Sequence, residues 1–457
     1  MPAIRTAGPW SRKEAGMTLF MVAALLFVLL GMAALSIDLV ALYVNRSEAQ
    51  RAADAAALAG AKKFVTTGFV SGATTQDIVK DLARQEAQAV GGQNMVGGLP
   101  VQINPAPNTD VVFDFSVANN PRITVTVQRT TASRDAGFAP PVPTFFGKAI
   151  GITEVDISAV ATAEAYKPGA GDPPVCVGCI KPWIMPNCDP NNDEVEDPDP
   201  NNPPPNYYCP PGTDQYIDSS GAIINEDLVI GQMVTLKYGQ PQAAPAPSQF
   251  YPIQIPPGTT PEICPACAQN AGGSEGPGAA LYRHNIACCN TSHFVCGQDV
   301  PIEQETGNMV GPTGQGVLCL IHQGNGNQGG QDTIVFDSNG YHVEMGGNNP
   351  LVQLDLKSVG DTTDTSSSFV TIPLYDGHVL CPGGSCGTTV RIVGFLEVFI
   401  IEVGQPQNTV VSYITGISGC GSGGTSANCD DSDTEGGTSS DTVGTGGQLV
   451  PVRLIRN

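Results

Sequence analysis

Cations are scarce in this sequence. Lysine and arginine number 21 against 43 aspartates and glutamates, for a net charge of −22 with only 14% charged residues. A surface so poor in Lys and Arg excludes a nucleic-acid partner, which needs a basic footprint. Aromatic residues are few as well, at 6%. That argues for thin cores and a β-rich exported protein rather than a compact enzyme. Cysteine is absent before Cys176, so whatever the 14 cysteines do is confined to the later part of the chain. Signatures of catalysis are missing too. No His-Glu-x-x-His helix occurs, which removes the commonest zinc-hydrolase pattern. The stretch Gly307–Gly316 lacks the Gly-Lys pair of a phosphate-binding loop. No catalytic residue and no cofactor is expected.

Against these absences stands one long apolar run. Met17–Ile37 carries no charge and is mostly Leu, Val, Ala, Phe and Met. Such a run crosses a hydrocarbon core of roughly 30 Å as a helix. A buried soluble helix or a cleaved signal peptide are the alternatives. The latter should be shorter and end at a small-residue site, whereas here the register continues past Asp38 through Leu39–Val44. Arg5, Arg12 and Lys13 precede the run, which places the N-terminus in the cytoplasm by the positive-inside rule. Asp38 lies about 31 Å along the helix from Met17 at 1.5 Å per residue. It therefore sits near the far interface, where a carboxylate is hydrated or paired; a proton-relay or assembly role is the other reading.

The helical pattern does not end with the apolar run. Ala49, Ala52, Ala53, Ala56 and Ala57 recur on one face, and small side chains let another helix approach closely. Glu48, Arg51 and Asp54 are spaced to pair along another face. A continuous helix of this kind suits packing in a bundle or assembly; it would also serve as a plain stalk, since Ala is the best helix former.

The apolar span, Ile37-Asp38-Leu39, Tyr43, Arg46 and the block from Gln50 to Ala61 together resemble the N-terminal signature of TadE/TadG-like proteins of the bacterial tight-adherence (Flp pilus) assembly system. Two later segments, Cys179–Pro186 and Gly307–Thr313, are similar to parts of longer TadG-related proteins. Gly16-Met17-Thr18-Leu19-Phe20 resembles a type IV prepilin cleavage site cut after Gly16, although Met21 stands where pilins carry Glu. The resemblance implies a structural membrane component whose interaction helix includes Asp38, Ala49, Ala52, Ala53, Ala56 and Ala57. It also implies partners among other pilus-assembly membrane proteins or pilins, besides the lipid bilayer. The implied location is a bacterial inner membrane, single-pass, with the bulk of the chain periplasmic or surface-exposed. A surface adhesin borrowing the same anchor, with an unknown surface ligand, is the alternative, and a membrane-tethered redox or zinc protein a third.

The cysteines fit an exported chain. Cys176, Cys179, Cys188, Cys209, Cys264, Cys267, Cys288, Cys289, Cys296, Cys319, Cys381, Cys386, Cys420 and Cys429 make an even set, which outside the cytoplasm reads as disulfides of unassigned connectivity. Cys264-Pro265-Ala266-Cys267 has the spacing of a redox pair but no strand–helix context to lower a thiol pKa. His284, Cys288, Cys289, His293 and Cys296 have the density of a zinc site, though thiols outside the cytoplasm oxidise first. Gly324–Gly329 matches Gly-x-Gly-x-x-Gly, yet a strand pattern follows where a dinucleotide site requires a helix. The acidic stretch Asp189–Pro200 fails the calcium-loop pattern, with Glu194 at the sixth position and Pro200 at the twelfth. Asp114-Phe115-Ser116 approaches a metal-dependent adhesion motif but lacks its second hydroxyl.

The fold expected is α+β: one N-terminal transmembrane helix continuing into a small pilin-like α+β domain, then a mostly β, disulfide-rich exterior domain. Residues 1–16 form a tail and 17–44 the span. Residues 45–166 hold the Ala-rich helix and pilin-like domain. There Thr75 opens a second helix, with Ile78, Leu82, Ala83 and Ala87 as its stripe and Gly91-Gly92 as its end. Val101–Ile103, Val111–Val117, Arg122–Val127 and Val155–Ala165 alternate as strands, the middle two as a hairpin across Asn119-Asn120-Pro121. Thr144–Ile150 is short and helix-compatible. Residues 167–211 form a Pro/Asp/Asn-rich linker, and 212–457 a β-rich domain. Its strand patterns are Leu228–Ile230, Met233–Lys237, Val317–Ile321, Thr333–Phe336, Phe369–Leu374, Val390–Ile401, Val410–Ile414 and Val450–Ile455. Val390–Ile401 is the central one, and 418–447 a mobile loop.

Overall fold

The computed structural model describes residues 12–71, 74–103, 110–116, 120–165, 176–177, 180–190, 214–218, 221, 223–224, 229–240, 243, 245–255, 278–288, 294–295, 297, 299–305, 309–323, 329–338, 340–363, 366–381, 389–404, 409–420 and 452–455. Cys179, Cys209, Cys264, Cys267, Cys289, His293, Cys296, Cys386 and Cys429 lie outside them, as do 191–200, Gly324–Gln328 and 421–447. The side chains of Gly16 and Cys176 are likewise not described.

Helix α1, Arg12–Thr66, is one element of 55 residues, roughly 80 Å long at 1.5 Å per residue. No proline interrupts it, and from Leu19 to Leu35 its large apolar side chains are exposed. By length and composition it is the one helix among the described residues able to cross a membrane. Ser36, a polar residue in that run, donates its hydroxyl to the Met32 carbonyl at 2.8 Å, so the apolar half presents no free hydroxyl there. Beyond Asp38 the same helix becomes the core element of a domain.

That domain is α1, a second helix α2 (Gln76–Gly92) and a four-stranded antiparallel sheet. Arg122–Arg129 alternates strictly, with every second residue buried, as its sequence demands. It pairs with Val111–Asp114 on one side and Ile157–Ala165 on the other. The expected hairpin forms. The sheet's far edge is Val452–Ile455, paired with Ala165 back to Thr162. The C-terminal strand thus completes the first sheet rather than lying with the later strands. Val101–Ile103, expected as a strand, is irregular backbone; the local pairing instead joins Met95–Val96 to Leu99–Pro100. Helix α2 begins after Thr75, as expected, and turns Val79, Ala83, Ala87 and Gly91 inward; Ile78 and Leu82 flank that stripe half-buried.

The later strands close on themselves. Met233–Tyr238 pairs with Thr409–Gly419, which pairs with Thr389–Gly404, then Phe369–Tyr375, Trp183–Pro186 and Gln249–Gln254. Gln249 and Phe250 then pair in parallel with Lys237 and Tyr238. The path returns to its start, a six-stranded barrel without free edges in the ring. Val370, Ile372, Leu374, Leu396, Val398, Ile400, Val410 and Ile414 fill its inside. Thr389–Gly404 runs through the wall with two register shifts, the bending that closure requires. Phe369–Tyr375 is buried on both faces. Its outward Phe369 meets Tyr341 and Ile334 from the small sheet Thr333–Asp337, Gly340–Glu344 and Thr362–Thr363.

Two further strand expectations are corrected. The described part of Leu228–Ile230, Val229 and Ile230, is helical turn backbone and the strand starts only at Met233. Val317–Ile321 is the end of a helix, Val310–Leu320. Its inward residues Thr313, Gly316, Val317 and Leu320 follow a helical period, masked in the sequence by glycine. It packs on a second helix, Ala279–Ala287, so closely that a Cβ on Gly316 would lie 2.9 Å from the Ile286 Cβ.

Candidate functional site

Two constellations stand out, one on α1 and one at the barrel. On α1 the alanine face expected for a partner helix is taken up by the chain itself. Ala49, Ala52, Ala53, Ala56 and Ala57 are all at most 1% exposed and share one core with Ala83, Ala87, Ile123, Ala161 and Ala163. Small residues permit this approach: a Cβ on Gly60 would meet the Ile123 Cδ1 at 2.5 Å, and one on Gly91 would meet the Ile103 Cδ1 at 2.5 Å. The charges expected to pair along the helix are used otherwise. Glu48 accepts from the Gly97 amide at 2.9 Å, and Asp54 from Gln50 at 2.8 Å.

From Met17 onward, Asp38 is the first buried residue of α1, at 6% exposure. Its carboxylate accepts three backbone amides from a loop more than 100 residues on. Phe145 N lies 2.7 Å from Oδ1, Phe146 N 3.0 Å from Oδ2 and Gly147 N 2.6 Å from Oδ2. These amides open the one-turn 3₁₀ helix Gly147–Ile150, and the orphan donors at such an end favour an anion. Of the two readings of Asp38, pairing at the interface is the one with observed partners. The loop sits tightly, since a Cβ on Gly147 would be 2.8 Å from both the Ile152 carbonyl and the Thr144 Oγ1. Further out, Arg129 is 4% exposed and donates to the carbonyls of Val96 at 2.6 Å and Pro140 at 2.8 Å. It ties the hairpin after α2 to the strand preceding the loop. Burial holds its guanidinium below the usual arginine range. Sequence reading marked neither the loop as the partner of Asp38 nor Arg129 as a buried tie.

At the barrel, the two later segments singled out in the sequence come together. Trp183 is fully buried, and its Nε1 donates to the Tyr282 hydroxyl at 2.7 Å. Tyr282 bonds the Thr313 hydroxyl at 2.9 Å, which in turn donates to the Met309 carbonyl at 2.7 Å. This chain locks the helix pair onto the barrel wall. Lys181 belongs to the same corner: it is 3% exposed and its Nζ donates to the Cys288 carbonyl at 3.0 Å. Burial pushes its amine down to about 7.

Lys181 gives a sign that can be measured. Between pH 7 and 10.5 the unfolded chain holds a proton that the folded chain has released, so stability rises with pH across that window. The limiting slope is about 1.4 kcal/mol per pH unit. Lys181→Met is expected to flatten that slope while leaving stability at pH 7 equal or higher, since it removes a charge from an apolar corner. Urea midpoints for both proteins at pH 7, 8 and 9 check this; parallel lines for the two would refute it.

The remaining sequence candidates are placed as follows. His284 Nδ1 is 3.7 Å from the Cys288 Sγ, while the other three zinc candidates lie outside the described residues. Among the described residues no group of three metal-ligating side chains occurs. Asp114 accepts the Ser116 amide at 2.9 Å in a local turn; that bond, the Ser116 hydroxyl and Arg122 hold its carboxyl below the usual range. Asp189 is buried and bridges to Asp214 through backbone.

Residues 16–63 match the family model Tad, described as Flp pilus-assembly TadE/G-like. No curated protein and no solved structure matches the chain. The matched residues hold Asp38, the alanine face and the apolar half of α1. Residues 16–63 are thus a TadE/TadG-like segment, related to Flp pilus-assembly proteins.

Proposed function

We propose that the chain is a membrane-anchored structural component of a Flp/tight-adherence pilus assembly or secretion system, acting by helix packing and protein–protein contact. The observation that carries this reading is the division of α1. Its outer half is consumed by the chain's own sheet and α2, while the large apolar side chains of Met17–Ile37 are exposed and coincide with the family match. A helix so divided has a rigid outer end on which the rest of the protein is mounted and an apolar end left for lipid and for the spans of pilus-assembly membrane proteins or pilins. Arg5, Arg12 and Lys13 favour a cytoplasmic N-terminus in the inner membrane, with the barrel periplasmic or surface-exposed. The even set of cysteines, none before Cys176, fits an oxidising location and a disulfide-stapled outer domain. The role is structural, not catalytic, and extends to surface adhesion if the barrel is displayed.

The test follows from the same division. A photocrosslinking residue at Leu25 or Leu29 is expected to capture other membrane components of the pilus system, whereas one at Ala53 captures none outside the chain. Deletion of the gene is expected to abolish pilus assembly or surface attachment. Unchanged assembly, secretion and attachment together would refute the proposal. A purified barrel that binds a surface glycan or peptide, with no membrane partner crosslinked, would favour the adhesin instead.

A further inference from the structure

Between Pro140 and Thr153 the chain carries one cation, Lys148, and no carboxylate, in a protein with 43 acidic residues. The same stretch exposes large apolar side chains in close succession: Phe145 at 69%, Phe146 at 48%, Ile150 at 74% and Ile152 at 50%. A soluble surface has no use for such a cluster, and exposed apolar patches mark contact sites. Its place on α1 says what it contacts. Asp38 binds the loop at Phe145–Gly147, whereas Gln50, twelve residues on, reaches the Val160 carbonyl. At 1.5 Å per residue the loop lies roughly 18 Å closer to the apolar half of the helix than Val160 does. Among the described hydrogen bonds between the domain and α1, those at Asp38 are the nearest to the span. Leu39, Val40 and Tyr43 on the adjoining turns of α1 are also exposed, so the helix stays apolar outward at the level where the loop is held.

We infer that the Phe145–Ile152 loop is a membrane-docking loop that enters the outer interface of the bilayer spanned by α1, with Lys148 at the level of anionic headgroups. This rests on the reading of Met17–Ile37 as a membrane span. Aromatic and aliphatic side chains settle at that depth, and a lysine among them favours phosphate. Two attachments, the span and the loop, fix the tilt and rotation of the outer domain against the membrane. Asp38 holds the two at a set distance.

The full chain reconstituted in phosphatidylcholine/phosphatidylglycerol vesicles tests this by tryptophan substitution and brominated lipids. Phe145→Trp and Ile150→Trp are compared with Leu29→Trp within the span and Leu354→Trp at the end of the short helix Pro350–Gln353, each as the difference from the parent protein. The loop variants are expected to show blue-shifted emission, quenched more strongly by bromines near the headgroups than by deep ones. Leu29→Trp should be quenched by deep bromines, and Leu354→Trp by none. Quenching at Leu29→Trp without quenching in the loop would overturn the docking loop and leave the anchor standing. No quenching at either would remove the anchor as well. A blue shift in the loop that depends on protein concentration and not on lipid would assign the patch to a second copy, and the inference would fall.

Discussion

Asp38→Ala is expected to free the 144–152 loop from α1 while leaving the helix and its membrane half intact. Three amides lose their acceptor at once. A hydrogen bond to a charged group contributes about 1.5–3 kcal/mol, so docking of the loop should weaken by at least ~3 kcal/mol. Since 1.4 kcal/mol is a factor of ten, the amides of Phe145, Phe146 and Gly147 should exchange with solvent about a hundredfold faster or more. Asp38→Asn should recover little. Its one carbonyl oxygen accepts from one or two of the amides, but its NH₂ group then faces a third donor. Asp38→Glu adds a methylene where Gly147 is already hemmed in by Ile152 and Thr144, so it should fail too. Membrane fractionation should be unchanged for all three variants, and pilus assembly should fall in step with the exchange rates. Exchange at Phe145–Gly147 no faster in Asp38→Ala than in the parent would show that these bonds do not hold the loop.

The position of Asp38 was legible in the sequence, and its partner was not. A carboxylate at the end of an uncharged run must be hydrated or paired, and simple helix geometry puts it near the interface. Nothing in the local pattern of Phe145-Phe146-Gly147 names a carboxylate 107 residues away; the three amides converge because the sheet carries the loop back along α1. The alanine face shows the same division of knowledge. The spacing of Ala49, Ala52, Ala53, Ala56 and Ala57 says that something approaches closely. It cannot say whose atoms those are, and here they belong to the chain's own sheet and α2.

Alternation was the most reliable guide. Arg122–Arg129 and Phe369–Tyr375 are strands where period two or a dense apolar run said so, because those patterns report directly on which faces are covered. Reading failed where tertiary contact replaced propensity. Val317–Ile321 looks like a strand because its β-branched end is conspicuous. It is helical because Gly316 admits Ile286 at a distance no larger residue allows. Closure of the barrel was likewise invisible. It depends on a two-residue parallel pairing between Lys237-Tyr238 and Gln249-Phe250, and no periodicity encodes which strand is whose neighbour.

Trp183→Ala should be the most damaging single change in the barrel. Truncating a fully buried tryptophan costs about 3–5 kcal/mol, against a typical domain stability of about 5–15 kcal/mol. It would also leave Tyr282 without its donor. Finer substitutions separate packing from polarity. Tyr282→Phe strands the Trp183 Nε1–H in an apolar interior, at a cost of about 1–3 kcal/mol, while Thr313 still donates to the Met309 carbonyl. Burial pushes the Tyr282 hydroxyl far above its usual range, so no charge arises there at any working pH. Trp183→Phe removes the donor first; on that background, losing the Tyr282 hydroxyl should matter less. The double variant Trp183→Phe/Tyr282→Phe is therefore expected to be less destabilised than the sum of the two, by about 1 kcal/mol, well beyond the few tenths seen for uncoupled sites. Denaturant titration of the full chain in detergent, followed by circular dichroism, gives all four corners of the cycle. Additivity within a few tenths would mean that the chain from Trp183 through Tyr282 to Thr313 is incidental. If Trp183→Ala instead left folding untouched yet abolished assembly or attachment, the two sequence segments that meet there would have to be a binding site rather than the fastening of a helix pair to a barrel.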